Sequence, residues 1–197
     1  MTTLYLVRHG ETDWNREGRV QGHADTPLNA TGRAQAKAFA SRIVDVALEV
    51  AFSSDSRRAY ETARIILADR RLPIATMQDL RERFLGRWEG RLVTDLPASE
   101  PEAWRAWLER PRDWAPHGGE TEVELERRVV GAVENIVETC KGQNVLIVSH
   151  GGAIRAALRH LVGHEVHEVA NCFAHIVEVD GERRTLVGEL SCGIDGV

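Results

Sequence analysis

The chain has 197 residues, of which 43% are apolar and 28% charged, and its formal net charge is −5. That length suits one domain with a core large enough to need no disulfide or structural metal, and the composition lies outside the disordered and membrane-spanning classes. The acidic balance argues against a nucleic-acid binder, which needs a basic excess to displace counterions, so any anionic ligand has to be held by a local group of cations.

The apolar run nearest the start, residues 4–7, is too short for a signal-peptide core or a membrane helix. No membrane partner and a cytoplasmic setting are therefore expected. Cys140, Cys172 and Cys192 are odd in number and widely spaced, which fits three reduced thiols better than a disulfide set or a zinc site.

In chain order, residues 3–7 read as a buried strand that breaks at Arg8-His9-Gly10. Thr31 is an N-cap candidate for a helix over 32–46, in which Phe39, Ile43 and Val46 recur at helical spacing. A short strand over 50–53 precedes a helix over 56–68 with Ala59, Ala63 and Ile66 on one face. Residues 73–77 are a weaker third strand. Between 83 and 119 the chain is rich in Trp, Arg and Pro without strand pattern, and we read it as a helical, loop-rich lid rather than a domain of its own. Leu125, Val129, Val133 and Ile136 mark a helix to about Cys140, and Gly142-Gln143 turns the chain into a central strand over 145–148. A helix over 153–161 and a hairpin of 173–179 with 184–189, joined through Asp180-Gly181, complete the chain. The tail from 191 is polar enough to be free or to cover a pocket. Strands alternating with helices, with neither internal repeat nor linker, predict one α/β domain over 1–197: a three-layer α/β/α sandwich with a mainly parallel central sheet.

In such sheets ligands sit beyond the carboxyl ends of the strands. Two histidines stand there, in Arg8-His9-Gly10 and in Ser149-His150-Gly151-Gly152. One histidine after one strand is more often a structural hydrogen-bonder than a catalyst; two in matching contexts shift that balance. Arg57 and Arg58 open a helix directly after a third strand, and a guanidinium fork suits phosphate oxygens. Expelling an alkoxide needs an acid. Glu82 and Glu89 compete for that part, and spacing alone does not choose between them.

These residues resemble the histidine phosphatase superfamily, also called phosphoglycerate mutase-like. The resemblance covers nearly the whole chain in ordered blocks. Leu6-Val7-Arg8-His9-Gly10-Glu11-Thr12 through Trp14-Asn15 resembles the family signature, followed by Gln21-Gly22 with Asp25, Pro27 and Leu28. Then come Ser53-Ser54-Asp55 with Arg58-Ala59 and Thr62-Ala63, Leu80-Arg81-Glu82 with Gly86 and Trp88-Glu89-Gly90, Gly118-Gly119-Glu120-Thr121, and Val148-Ser149-His150-Gly151-Gly152. The resemblance implies that His9 is the nucleophile, that Arg8, Arg58 and His150 bind the phosphoryl group with Asn15 as a further contact, and that Glu82, not Glu89, is the acid. Gln21, Gly22, Gly151, Trp104 and Trp107 are the candidates for the substrate pocket, although packing is the commoner use of at least one of the two tryptophans.

The activity so implied is that of a phosphomonoester phosphatase acting on a small phosphorylated metabolite through a phosphohistidine. The alternatives are a phosphoglycerate mutase and a non-catalytic phospho-ligand binder. Arginines, and His150 if protonated, would supply the positive charge, so no metal and no cofactor is expected. His160, His164 and His167 have helical spacing, but Gly163 interrupts them and the pattern is one residue short of a metalloprotease motif, which favours a solvated helix end. Residues 91–117 are short and Trp-rich where the mutases of the family carry a longer basic segment, which favours the phosphatase. Arg105, Arg110 and Arg112 could meet a second anionic group, with exposure the commoner outcome. The expected partner is a small-molecule phosphomonoester, with a homodimer allowed for.

Overall fold

The computed structural model describes residues 1–109, 112–166 and 168–194; Arg110, Pro111, His167 and the last three residues of the tail lie outside them. Strand β1 (Thr2–Arg8) is followed by a one-turn helix α1 (Asp13–Arg16), helix α2 (Ala30–Arg42), strand β2 (Val50–Ser54), helix α3 (Arg57–Ile66) and strand β3 (Ile74–Met77). Two short helices, α4 (Leu96–Ser99) and α5 (Pro101–Glu109), precede the long helix α6 (Glu122–Thr139), strand β4 (Asn144–Ser149), helix α7 (Gly151–Val162) and the closing strands β5 (Phe173–Asp180) and β6 (Arg183–Ser191).

The six strands form one sheet in the order β3-β2-β4-β1-β5-β6. β3, β2, β4 and β1 are parallel, while β5 runs against β1 and pairs antiparallel with β6. Alternation along the strands divides the core between the two faces. Leu4, Leu6, Val145 and Ile147 pack with Val129, Val133, Ile154 and Leu158 from α6 and α7. Val7, Leu146 and Val148 face Ala36, Phe39, Ala59 and Ala63 from α2 and α3. Helices on both faces of a mainly parallel sheet are the expected three layers.

The strand and helix expectations hold with shifts of one or two residues, except in α2. Its N-cap is Asn29, whose side chain accepts from Gly32 N (2.8 Å), and not Thr31. The helix stops at Arg42 although apolar spacing continues, and the carbonyls of Ile43, Val44 and Val46 just beyond it accept from the Arg70 guanidinium. Ile43 and Val46 still pack on the core from this turn. The 83–119 segment is organised around Trp88, 1% exposed, with Trp104, Trp107 and Trp114 at ring distances of 6.3, 5.5 and 5.7 Å. The Trp88 indole donates to Glu100 (3.0 Å), so the buried ring keeps a partner for its N–H.

The turn after β1 is pressed onto the start of α2. A Cβ on Gly32 would stand 2.1 Å from the Glu11 carbonyl oxygen, and one on Gly10 would stand 2.5 Å from the Gly32 carbonyl oxygen. Backbone meets backbone there, and neither side can yield by a rotamer change. Gly32→Ala is therefore expected to lower stability in urea titration by about 2 kcal/mol, as overpacking does. Gly131→Ala, on the exposed face of α6 with open space around it, should raise it by about 0.5 kcal/mol. Equal effects of the two would contradict this packing.

Candidate active site

Strand register brings the two histidines together. Arg8 pairs with Ser149 in the parallel β1–β4 ladder, and His9 N continues it by donating to Ser149 O (2.9 Å). His9 and His150 are thus equivalent first residues beyond neighbouring strands, with ring centroids 5.1 Å apart. Ser53 lies level with Val148 on β2, so α3 starts beside them and carries Arg58 inward. Ser54 pairs with Met77 on β3, and the short 3-10 turn after β3 leads to Glu82. Four parallel strand ends thus contribute to one crevice.

His9 is 3% exposed. Its Nδ1 donates to Gly10 O (2.7 Å), the one role a carbonyl leaves open to it, so Nε2 carries a lone pair. Nε2 accepts from Arg58 Nε at 3.2 Å. Burial, then Arg58, then Arg8 push the His9 pKa well below its ordinary 6.5. His150 is shifted the same way by burial, Arg58 and His9. Burial beside two arginines disfavours the protonated His150 that would add positive charge to the ligand-free site. Its Nε2 pairs with Ser56 Oγ (3.0 Å), while Nδ1 is buried without a hydrogen bond among the described residues.

Arg58, 1% exposed, is held by Gly22 O (2.8 Å) and Ala24 O (2.7 Å), and burial brings its pKa down to about 10, still charged at neutral pH. Arg8 donates through Nη1 to Val169 O, and its buried Nε makes no hydrogen bond among the described residues. The two glutamates separate clearly. Glu82 accepts from Gly152 N (2.9 Å) and Arg83 N (2.7 Å) and lines the cavity. Glu89 spends one carboxylate oxygen on the backbone N–H groups of His23 (2.7 Å) and Leu85 (3.1 Å) and is not on the cavity wall.

The cavity holds about 340 Å³ and is walled by Arg8, His9, Asn15, Gln21, Gly22, Arg58 and Glu82 at one end. Asn15 also completes the capping box of α1 with Thr12, and Gln21 accepts from Thr12 and Thr26 hydroxyls. Trp107 reaches the wall, whereas Trp104 does not: it lies in the cluster around Trp88. Gly152 rather than Gly151 forms the wall at the start of α7, and a Cβ there would stand 2.1 Å from Glu82 Oε1. The other end was not anticipated from the sequence: Arg83, Leu85, Trp114, Glu122, Leu125, Arg155, Ala156, Arg159, Glu165 and Val166. Positions 152, 155, 156 and 159 follow helical spacing from the Gly-Gly motif, a signal that was available. Arg105 is exposed and Arg112 pairs with Glu126 on the surface, so neither reaches the cavity wall.

His160 pairs with Glu134 (2.6 Å) and Arg184, and His164 is exposed. Among the described residues no three His, Cys, Asp or Glu side chains gather as a metal would need, and no helix is long and apolar enough to cross a membrane.

A family model described as the histidine phosphatase superfamily (branch 1) matches residues 4–189. Adenosylcobalamin/alpha-ribazole phosphatase of Escherichia coli K12 is 36% identical over 160 residues, covering 81% of this chain and 79% of that protein. Metal-independent phosphoserine phosphatase of Arabidopsis thaliana is 35% identical, covering 100% of this chain and 89% of its own length. Among solved structures, YhfR of Bacillus stearothermophilus superimposes with a TM-score of 0.89 at 35% identity, over 95% of this chain and 96% of that one.

The buried neutral imidazoles make stability depend on pH. Above 6.5 His9 and His150 are neutral whether the chain is folded or not. Below 6.5 the unfolded chain binds a proton at each and the native state does not, so stability falls as pH falls, by about 1.4 kcal/mol per pH unit per histidine until the native pKa is reached. Urea titrations of the ligand-free protein at pH 7.5, 6.5 and 5.5 should show that loss, and His9→Asn should show a shallower one. Equal slopes in the two proteins would contradict the burial of His9 as a neutral base.

Proposed function

The chain belongs to the histidine phosphatase superfamily, and on that premise we propose that it is a metal-independent phosphomonoesterase acting on a small phosphorylated metabolite through a phosphohistidine at His9. The observation that carries this reading is the His9 ring itself: Nδ1 is tied to the Gly10 carbonyl, and the bare Nε2 faces Arg58 on the cavity that Glu82 also lines.

The phosphoryl oxygens enter between Arg8 and Arg58, with His150 and Asn15 as further contacts. As the dianion arrives, Arg58 Nε–H turns from the His9 lone pair to a phosphoryl oxygen, which frees Nε2 at the moment it is needed. A dianion facing two guanidinium groups is close to neutralised, so a neutral imidazole can approach the phosphorus without strong repulsion. Nε2 bonds to phosphorus while the ester P–O bond breaks, and Glu82 gives its proton to the departing alkoxide. Water then attacks the phosphohistidine. Glu82, now a carboxylate, takes the water's proton, the P–N bond breaks, and inorganic phosphate leaves with the enzyme restored.

Water as the acceptor is favoured over a second substrate hydroxyl, the mutase outcome. Among the described residues of 91–117 the tryptophans pack around Trp88, and Trp107 and Trp114, with no cation of that segment, reach the cavity wall. In this reading the chain is one domain whose 83–119 segment is a lid, supported by Leu85, Trp107 and Trp114 on the cavity wall. Three buried free thiols support a cytoplasmic setting. Phosphoserine, 3-phosphoglycerate and α-ribazole phosphate are the substrates to compare first.

Chelator-treated protein should hydrolyse these esters and para-nitrophenyl phosphate, and His9→Ala should fall to background. Quenching turnover in alkaline denaturant should leave phosphoryl on the peptide that contains His9. A folded protein that turns over none of them, or a His9→Ala variant that retains activity, would contradict the proposal; the first result would favour the non-catalytic binder.

A further inference from the structure

Arg128 on α6 saturates its guanidinium on the segment that carries Glu82. Nε and Nη2 grip both carboxylate oxygens of Glu120 (2.7 and 2.8 Å), Nη1 donates to Asp79 O (2.9 Å) and Arg81 O (2.7 Å), and the second Nη2 hydrogen goes to Glu82 O (2.7 Å). All five N–H groups of the side chain therefore have acceptors. Its charge is offset by Glu120, itself fixed by Phe84 N on Oε2, and Glu120 O accepts from Arg83 Nε. Both side chains are largely buried, at 18% and 15% exposed.

The loop after β3 has no strand partner, so carbonyls 79, 81 and 82 need donors from elsewhere. Arg128 supplies them from one rigid plane, and His23 adds a second bond to Glu82 O (2.8 Å). The carboxylate of Glu82 is aimed at its other end by Gly152 N and Arg83 N. Arg128 does not line the cavity.

We propose that Arg128 is a positioning residue for the leaving-group proton transfer: it fixes the peptide from which Glu82 reaches the ester oxygen. The inference rests on Glu82 being the proton donor. A lysine has neither the planar fork nor enough donors to hold three carbonyls and a carboxylate together. Loss of this clamp leaves the phosphate contacts in place and moves the acid, and a small misplacement of a reacting group is costly.

The effect is readable from the leaving group. An acidic phenol departs without help, whereas an alcohol needs the proton. kcat/KM reports the steps through release of the alcohol or phenol, so it isolates this transfer from hydrolysis of the phosphohistidine. The test compares para-nitrophenyl phosphate with an alkyl phosphate such as glycerol phosphate in wild type, Glu82→Gln, Arg128→Lys and Arg128→Met. In both Arg128 variants the alkyl ester should lose roughly 10²-fold more kcat/KM than the aryl ester, the lower end of what a positioned acid contributes. The ratio of two substrates on one preparation is independent of the fraction folded, so a destabilised variant still gives an answer. A steep leaving-group dependence in Glu82→Gln with parallel losses on both esters in the Arg128 variants overturns the inference alone. Parallel losses in Glu82→Gln overturn it together with the assignment of Glu82.

Discussion

Everything proposed for the site depends on one imidazole held in one tautomer between a carbonyl and a guanidinium. Gly10 O accepts from the single ring N–H of His9, and Arg58 points an N–H at the nitrogen that lacks one. Burial and two neighbouring cations make a second proton unfavourable. The same cations that would repel an imidazolium are those a phosphate dianion requires, so one arrangement keeps the nucleophile bare and prepares the anion's seat.

Such an arrangement is costly to build, because a buried guanidinium must have every donor satisfied or lose stability. The fold meets much of that cost with backbone, while the buried Arg8 Nε makes no hydrogen bond among the described residues. Arg58 is held by the carbonyls of Gly22 and Ala24, from the loop after α1, and Arg128 by three carbonyls and Glu120. The β1–β4 register then places His9 and His150 side by side without any adjustable side-chain geometry. Gly32 and Gly152 let backbone and carboxylate approach more closely than a Cβ would permit.

Much of this was legible in the sequence. Buried parallel strands are near-continuous apolar runs, so β1 and β4 stood out, and with them the polar residues at their ends. Other features were not legible, for definable reasons. Asn29 and Thr31 are both competent caps, and the carbonyls just past the end of α2 are held by Arg70, distant in sequence. Glu82 and Glu89 follow the same strand; only the folded loop reveals that Glu89 is consumed by backbone N–H groups. Trp104 and Trp107 sit three residues apart on α5, and which of them reaches the cavity is decided by packing around Trp88. The downward shift of the His150 pKa comes from burial and from Arg58 on α3, which no local pattern encodes.

The most direct measurement is the nitrogen NMR of the His9 ring in ligand-free protein at neutral pH, assigned by its disappearance in His9→Gln. The account predicts a neutral ring protonated at Nδ1 with a lone pair on Nε2, unchanged as the pH is lowered through 6.5. A ring that is doubly protonated at pH 7, or one that carries its proton on Nε2, would contradict it.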